Sequence, residues 1–152
     1  MDKRSAGLLM YHRNSGALEV LLVHPGGPFW AKKDAGAWTI PKGKVEQGEE
    51  DLAAARREFE EETGKKAEGT FLPLQPVTQR GGKRIVAWAF EGDFDPSQLK
   101  SATFSMEWPP RSGEQQEFPE IDRAAWFTVE EAARRINPGQ APLVEELSGL
   151  VN

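Results

Sequence analysis

The sequence predicts an α/β fold built on a mixed β-sheet. Three observations carry this reading. Apolar runs of strand length occur in pairs joined by glycine-containing turns, so hairpins are present. Helical stretches with capping signals fall between and after these pairs. Strands and helices alternate irregularly, which argues against a purely parallel sheet.

In chain order, Ser5 to His12 and Ala17 to His24 are apolar runs separated by Arg13-Asn14-Ser15-Gly16, a hairpin with a glycine in its turn. Pro25 to Ala37 reads as a loop, and Trp38-Thr39-Ile40 as a short strand stopped by Pro41. A helix is predicted from Glu49 or Glu50 to Thr63, closed by Gly64 as its C-cap. Leu52, Ala55 and Phe59 form its packing stripe. Thr70 to Gln79 and Lys83 to Phe90 read as a second strand pair, joined at Arg80-Gly81-Gly82. Phe94 to Gly113 is a long irregular segment, and Ala125 to Phe127 a strand. Thr128, with Glu131 three residues on, makes a capping box that opens a helix to about Ile136. Asn137-Pro138-Gly139 breaks it, and Pro142 to Leu147 starts a final helix. No internal repeat, low-complexity tract or linker interrupts the chain, so residues 1–152 are expected to form one domain.

Composition narrows the class. At 38% hydrophobic and 28% charged residues the chain looks globular, with enough length for a sizeable core. It has no cysteine, which excludes disulfides, thiolate metal sites and a cysteine nucleophile. The N-terminal apolar run, Ala6 to Tyr11, is too short for a signal-peptide core or a membrane span, so a cytoplasmic protein is expected. A net charge of −5 without an evident basic stripe counts against a nucleic-acid partner. The two histidines, His12 and His24, read as strand or strand-end residues without a chemical role.

The most specific feature is GKVEQGEEDLAAARREFEEETGK, from Gly43 to Lys65. Glu58, Glu61 and Glu62 stand three and four residues apart, so at roughly 100° per residue they share one helix face. Three adjacent like charges destabilise an isolated helix. They make sense where a divalent cation sits among them, and hard carboxylate oxygens suit Mg²⁺ or Mn²⁺. Glu60 lies on the far side, and Glu50 and Asp51 favour the N-terminal end of the helix dipole.

This window resembles the Nudix box, G-x5-E-x7-R-E-U-x-E-E-x-G-U, where U is apolar. Gly43, Glu49, Arg57, Glu58, Phe59, Glu61, Glu62 and Gly64 fill its positions; Lys65 departs from the final apolar one. Chance agreement at the identity-specified positions is on the order of 10⁻⁸ per window. The resemblance implies the Nudix α/β/α sandwich and hydrolysis of a nucleoside diphosphate linked to another group X. It further implies Glu58, Glu61 and Glu62 as metal-binding and catalytic acids, with a backbone carbonyl near Lys42 and Gly43 completing the metal shell. Glu49 and Arg57 match positions that pair to hold the loop against the helix, with Gly43 and Gly64 as its structural glycines. Many family members add an acid a few residues before a strand tryptophan. Here Glu120 is the first choice and Glu117 the second, ahead of Trp126.

Substrate contacts are expected from two loops. Trp30 and Lys32, beside Phe29 and Lys33, lie in one; Trp108 and Arg111, with Phe104, lie in the other. Aromatics can stack a base, while Lys and Arg can hold phosphate; equally, the aromatics can pin the loops to the core. Lys42 and Lys44 flank the first box glycine within reach of phosphate. The stretch WTIPKGKVEQGE is similar to dinucleoside polyphosphate and diphosphoinositol hydrolases, although the tyrosine that some diadenosine polyphosphate hydrolases carry downstream of the box is absent. The expectation is a metal-dependent pyrophosphohydrolase acting on a nucleoside triphosphate or dinucleoside polyphosphate. The alternatives are a nucleotide-binding regulator on a catalytically silent Nudix fold and an RNA-end pyrophosphohydrolase.

Overall fold

Period-2 alternation along each long strand sends apolar side chains to both faces of one sheet, and a helical layer covers each face. The computed structural model describes residues 4–151. Its strands are β1 (Ser5–Asn14), β2 (Ala17–Pro25), β3 (Lys42–Lys44), β4 (Leu72–Pro73), β5 (Val77–Thr78), β6 (Arg84–Glu91), β7 (Thr103–Glu107), β8 (Gln115–Pro119) and β9 (Ile121–Thr128). Its helices are α1 (Asp51–Thr63), α2 (Val129–Arg135) and α3 (Ala141–Val151).

The main sheet runs β4-β6-β1-β2-β9, with β3 paired to β1 and β5 to β6. β1 and β6 are parallel, and the other neighbours are antiparallel. The sheet is therefore mixed, and a Nudix-type α/β sandwich results. The β1–β2 hairpin closes on Ser15 and Gly16, with φ of 52° and 85°. Asn14 and Ala17 face each other across this two-residue turn, whose positive φ values match the twist of the strands.

On one face, Leu8, Met10, Leu21 and Phe90 meet Ala54, Ala55 and Phe59 of α1. On the other, Leu9, Val20, Leu22, Ile85 and Ala87 meet Ala132 of α2 and Leu143, Val144 and Leu147 of α3. Thus α1 is anchored by one stripe while its glutamates remain free for other work. Its sequence, rich in Ala, Arg, Glu and Leu, favours helix throughout. Gly64 ends it at φ 85°, donating its N–H to the Glu60 carbonyl at 2.8 Å. At α2, the Thr128 hydroxyl accepts from the Glu131 N–H at 3.2 Å.

Several elements differ from the sequence expectations. The 70–79 run is not one strand: Pro73 and Pro76 cannot donate to a ladder, and only the two-residue β4 and β5 pair with β6. Residues 38–40 form isolated bridges rather than a strand, with Val23 opposite Thr39 and Trp38 beside Ile136. The irregular segment 94–113 contains β7, which pairs with β8 in a separate two-stranded hairpin. The strand expected at 125–127 extends over all of β9.

Phe59 is fully buried and meets Phe90 edge-on at 5.4 Å. Replacing it with Ala should cost about 3–5 kcal/mol of unfolding free energy in urea titration. A loss under about 1 kcal/mol would mean that this stripe does not anchor α1.

Candidate active site

The C-terminal half of α1 projects Glu58 and Glu62, one turn apart, toward β3. The approach is close: a Cβ on Gly43 would lie 2.0–2.4 Å from the Glu58 carboxyl atoms, so only glycine lets this backbone meet the acid. The adjacent Lys42 N–H donates to Glu62 Oε1 at 3.2 Å. The backbone of Lys42 and Gly43 therefore lies directly against both helix acids.

Glu120 arrives from a distant part of the chain through a relay of backbone hydrogen bonds. The Ala102 N–H donates to the Glu61 carbonyl, and the Glu120 N–H to the Ala102 carbonyl, each at 2.8 Å. The Gly26 N–H then donates to the Glu120 carbonyl at 2.8 Å. As a result, Glu58, Glu62 and Glu120 each offer a carboxylate oxygen, all within 4.8 Å of one another.

Arg57 offsets part of this negative charge. It donates to Glu49 at 2.8 and 3.0 Å, to Glu58 at 2.8 Å, to Glu61 at 3.2 Å and to the Lys44 carbonyl at 3.1 Å. One guanidinium thus joins the glycine loop to the helix acids. Its proton affinity is raised, chiefly by the Glu49 hydrogen bond, and that bond holds the Glu49 carboxyl below its usual range. Burial dominates at the cluster itself. It pushes Glu62 up to about 8, aided by the Glu58 charge and opposed by Lys42. Burial also raises Glu58 and Glu120, and lowers Lys42.

The other expected residues are distributed as follows. Glu61 does not join the cluster: its side chain is 44% exposed and rests on Arg57. Arg57, one turn earlier, bonds both Glu58 and Glu61 through Nη1, so Glu61 sits at the exposed edge of the cluster, where, beside burial, its charge helps raise Glu120. Glu117 points elsewhere, accepting from the Thr103 hydroxyl at 3.0 Å across the β7–β8 hairpin. Lys44 is exposed and, with Ser5, Gly81, Gly82 and Lys83, lines a cavity of about 410 Å³. Lys32 is exposed. Trp30 is part-exposed, with the Lys33 ammonium 5.1 Å from its ring centre.

The two aromatic loops meet. Phe29 contacts Trp108 edge-on at 5.7 Å, and Arg111, at φ 63°, lies in the same turn as Trp108. Sequence reasoning missed the backbone relay through Ala102 and Gly26. The only signal for the hairpin that carries it, the alternation of Phe104 and Met106 in TFSME, has no counterpart in QQEFP.

Fold and site together define a Nudix-type α/β protein with a carboxylate cluster between its box helix and glycine loop. Comparisons with known proteins agree. The NUDIX domain family matches residues 1–147, and the chain belongs to that family. It is 33% identical over 108 residues to the asymmetrical bis(5′-nucleosyl)-tetraphosphatase of Rattus norvegicus, covering 62% of this chain and 69% of that one. It is 35% identical over 101 residues to an 8-oxo-(d)GTP phosphatase of Mycolicibacterium smegmatis, covering 62% of this chain but only 24% of that longer protein. Among solved structures, a C. elegans Ap4A hydrolase binary complex shares the fold with a TM-score of 0.70 at 22% identity, over 97% of each chain. No helix among the described residues is long and apolar enough to cross a membrane.

The raised Glu62 has a consequence for stability. The folded state keeps this proton up to about pH 8, whereas the unfolded chain releases it near 4.5. The metal-free protein should therefore lose stability as pH rises from about 4.5 to 8. Melting temperature measured across that range in EDTA should fall, and Glu62→Gln should flatten the fall. A profile identical in both proteins would contradict the burial of this charge.

Proposed function

We propose that this chain hydrolyses a phosphate anhydride bond in a dinucleoside polyphosphate or nucleoside triphosphate, using Mg²⁺ or Mn²⁺. The coarser class, a Nudix pyrophosphohydrolase, follows from family membership. The observation that carries the chemistry is the convergence of Glu58, Glu62 and Glu120 within 4.8 Å. These are hard oxygen donors whose affinity for positive charge is raised by burial, and of the three Arg57 meets Glu58, which fits a small divalent cation among them. The three carboxylates and the Lys42–Gly43 backbone would hold it, with Glu61 beside them on Arg57. When bound, the ion neutralises phosphate charge and makes a nearby water a stronger acid.

The chain's own groups do the rest. Glu120 comes from a segment separate from the helix and is the acid placed to take a proton from the attacking water. Arg57 keeps the helix acids and the glycine loop in fixed relation. Lys42 and Lys44 supply positive charge for the phosphates. The Phe29–Trp108 contact and Trp30 form an aromatic surface for a base, and Arg111 lies near it. The tetraphosphatase relatives and the P-K-G stretch favour the dinucleoside polyphosphate.

The test is a nucleotide panel with Mg²⁺, resolved by product chromatography: diadenosine tetraphosphate, ATP, 8-oxo-dGTP and ADP-ribose. Unequal cleavage of the tetraphosphate, to a nucleoside triphosphate and a monophosphate, is expected to be fastest. EDTA should abolish turnover, and added Mg²⁺ or Mn²⁺ should restore it. Glu62→Gln should lower kcat by about a hundredfold or more while circular dichroism stays unchanged. Glu60→Gln, on the opposite helix face, should leave kcat unchanged. Full turnover in metal-free buffer, or equal losses in the two variants, would refute the reading.

A further inference from the structure

His24 is fully buried at the end of β2, where the pairing with β9 shifts register before Pro25. Both of its ring nitrogens are engaged. Nε2 lies 2.6 Å from the Lys33 carbonyl oxygen, and Nδ1 lies 2.8 Å from the Asp122 carboxylate. A carbonyl can only accept, so Nε2 carries a proton and donates it. Nδ1 and the carboxylate then share a second proton between them. Trp38 packs edge-on to the ring at 5.3 Å, and Arg123 lies 3.7 Å from the same Asp122 oxygen.

What this bond holds is the loop between β2 and residue 37. Its first leg leaves Gly26, whose N–H is fixed to the Glu120 carbonyl. Its tip carries Phe29, against Trp108, and Trp30. Its return leg begins at Lys33, which donates its N–H to the Trp30 carbonyl at 3.0 Å and places its ammonium near the Trp30 ring. Further along, Asp34 accepts from Trp38 Nε1 at 2.6 Å and pairs with Arg135. Between the exposed tip and Asp34, the Lys33 carbonyl on His24 is the tie to the sheet beneath. Phe29 and Trp30 are among the large apolar side chains left open to solvent, so packing alone does not fix the tip.

We propose that the His24–Asp122 pair is a positioning device that fixes the aromatic loop and thereby sets affinity for the nucleotide. The effect on affinity rests on the proposed function; the effect on the loop does not. His24 touches no reacting atom. The backbone bond from Gly26 to the Glu120 carbonyl does not use the His24 side chain, so it stays in place when the clamp is broken.

Three variants test this. His24→Phe fills the buried volume and removes both hydrogen bonds. His24→Gln can keep a donor for the Lys33 carbonyl. Asp122→Asn leaves the ring in place and removes the charge. Hydrogen exchange followed by mass spectrometry should show amides 29–36 exchanging about tenfold faster in His24→Phe, with α1 unchanged and His24→Gln intermediate. With diadenosine tetraphosphate and Mg²⁺, KM should rise about tenfold in His24→Phe, less in Asp122→Asn and His24→Gln, while kcat stays within about twofold. Unchanged loop exchange in both His24→Phe and Asp122→Asn would overturn the clamp. A loosened loop with unchanged KM would overturn its role in affinity. A melting-temperature loss with unchanged KM and exchange would reduce His24 to a core residue. If the wild type cleaves nothing in the panel, the proposed function and the role in affinity both fail, and the exchange result still decides the clamp.

Discussion

Mutual repulsion among three clustered carboxylates is the constraint on which the rest of the site depends. Two unit charges at the 4.8 Å limit of this cluster would cost about 3–4 kcal/mol at an effective dielectric near 20, a cost the metal-free protein avoids at neutral pH by keeping the Glu62 proton. Burial adds to that cost, because water is excluded from Glu62 and partly from Glu58. A chain gains nothing for its own stability from such an arrangement. It must be held by interactions made elsewhere, and it is resolved by a ligand of opposite charge.

The holding interactions are divided between side chains and backbone. Arg57 neutralises the flank of the cluster, meeting Glu58, Glu61 and Glu49, but it makes no bond to Glu62. Among the described residues, the Lys42 N–H and the positive charge of Lys42 oppose the burial of Glu62. The stripe of Ala54, Ala55 and Phe59 fixes the rotation of the helix, so the acids cannot swing out to water without breaking the core. Glu120 is placed by backbone hydrogen bonds alone, through Ala102 and Gly26.

Locally encoded features were legible in the sequence, and features built by long-range contacts were not. The Thr128 N-cap, the Gly64 helix stop and the Ser15-Gly16 turn each involve neighbours within four residues and appear where expected, although the Glu131 carboxylate of the expected capping box turns to Arg134 and Arg135. The acids of α1 are visible from spacing, but the sharing of Arg57 between Glu58 and Glu61, which leaves Glu61 at the exposed edge, is not. The 70–79 segment has the composition of one strand, but Pro73 and Pro76 divide it into β4 and β5. The β7–β8 hairpin was hidden because most of its side chains face solvent, leaving little hydrophobic alternation. The role of His24 could not be seen at all, since its partner Asp122 lies 98 residues away.

The central claim is that Glu58, Glu62 and Glu120 converge to hold one divalent cation. Anomalous diffraction from crystals soaked in Mn²⁺ tests it most directly. The account predicts a manganese peak within coordination distance of all three carboxylates, lost in Glu62→Gln. A manganese peak lying elsewhere, or one that survives in that variant with unchanged occupancy, would contradict it.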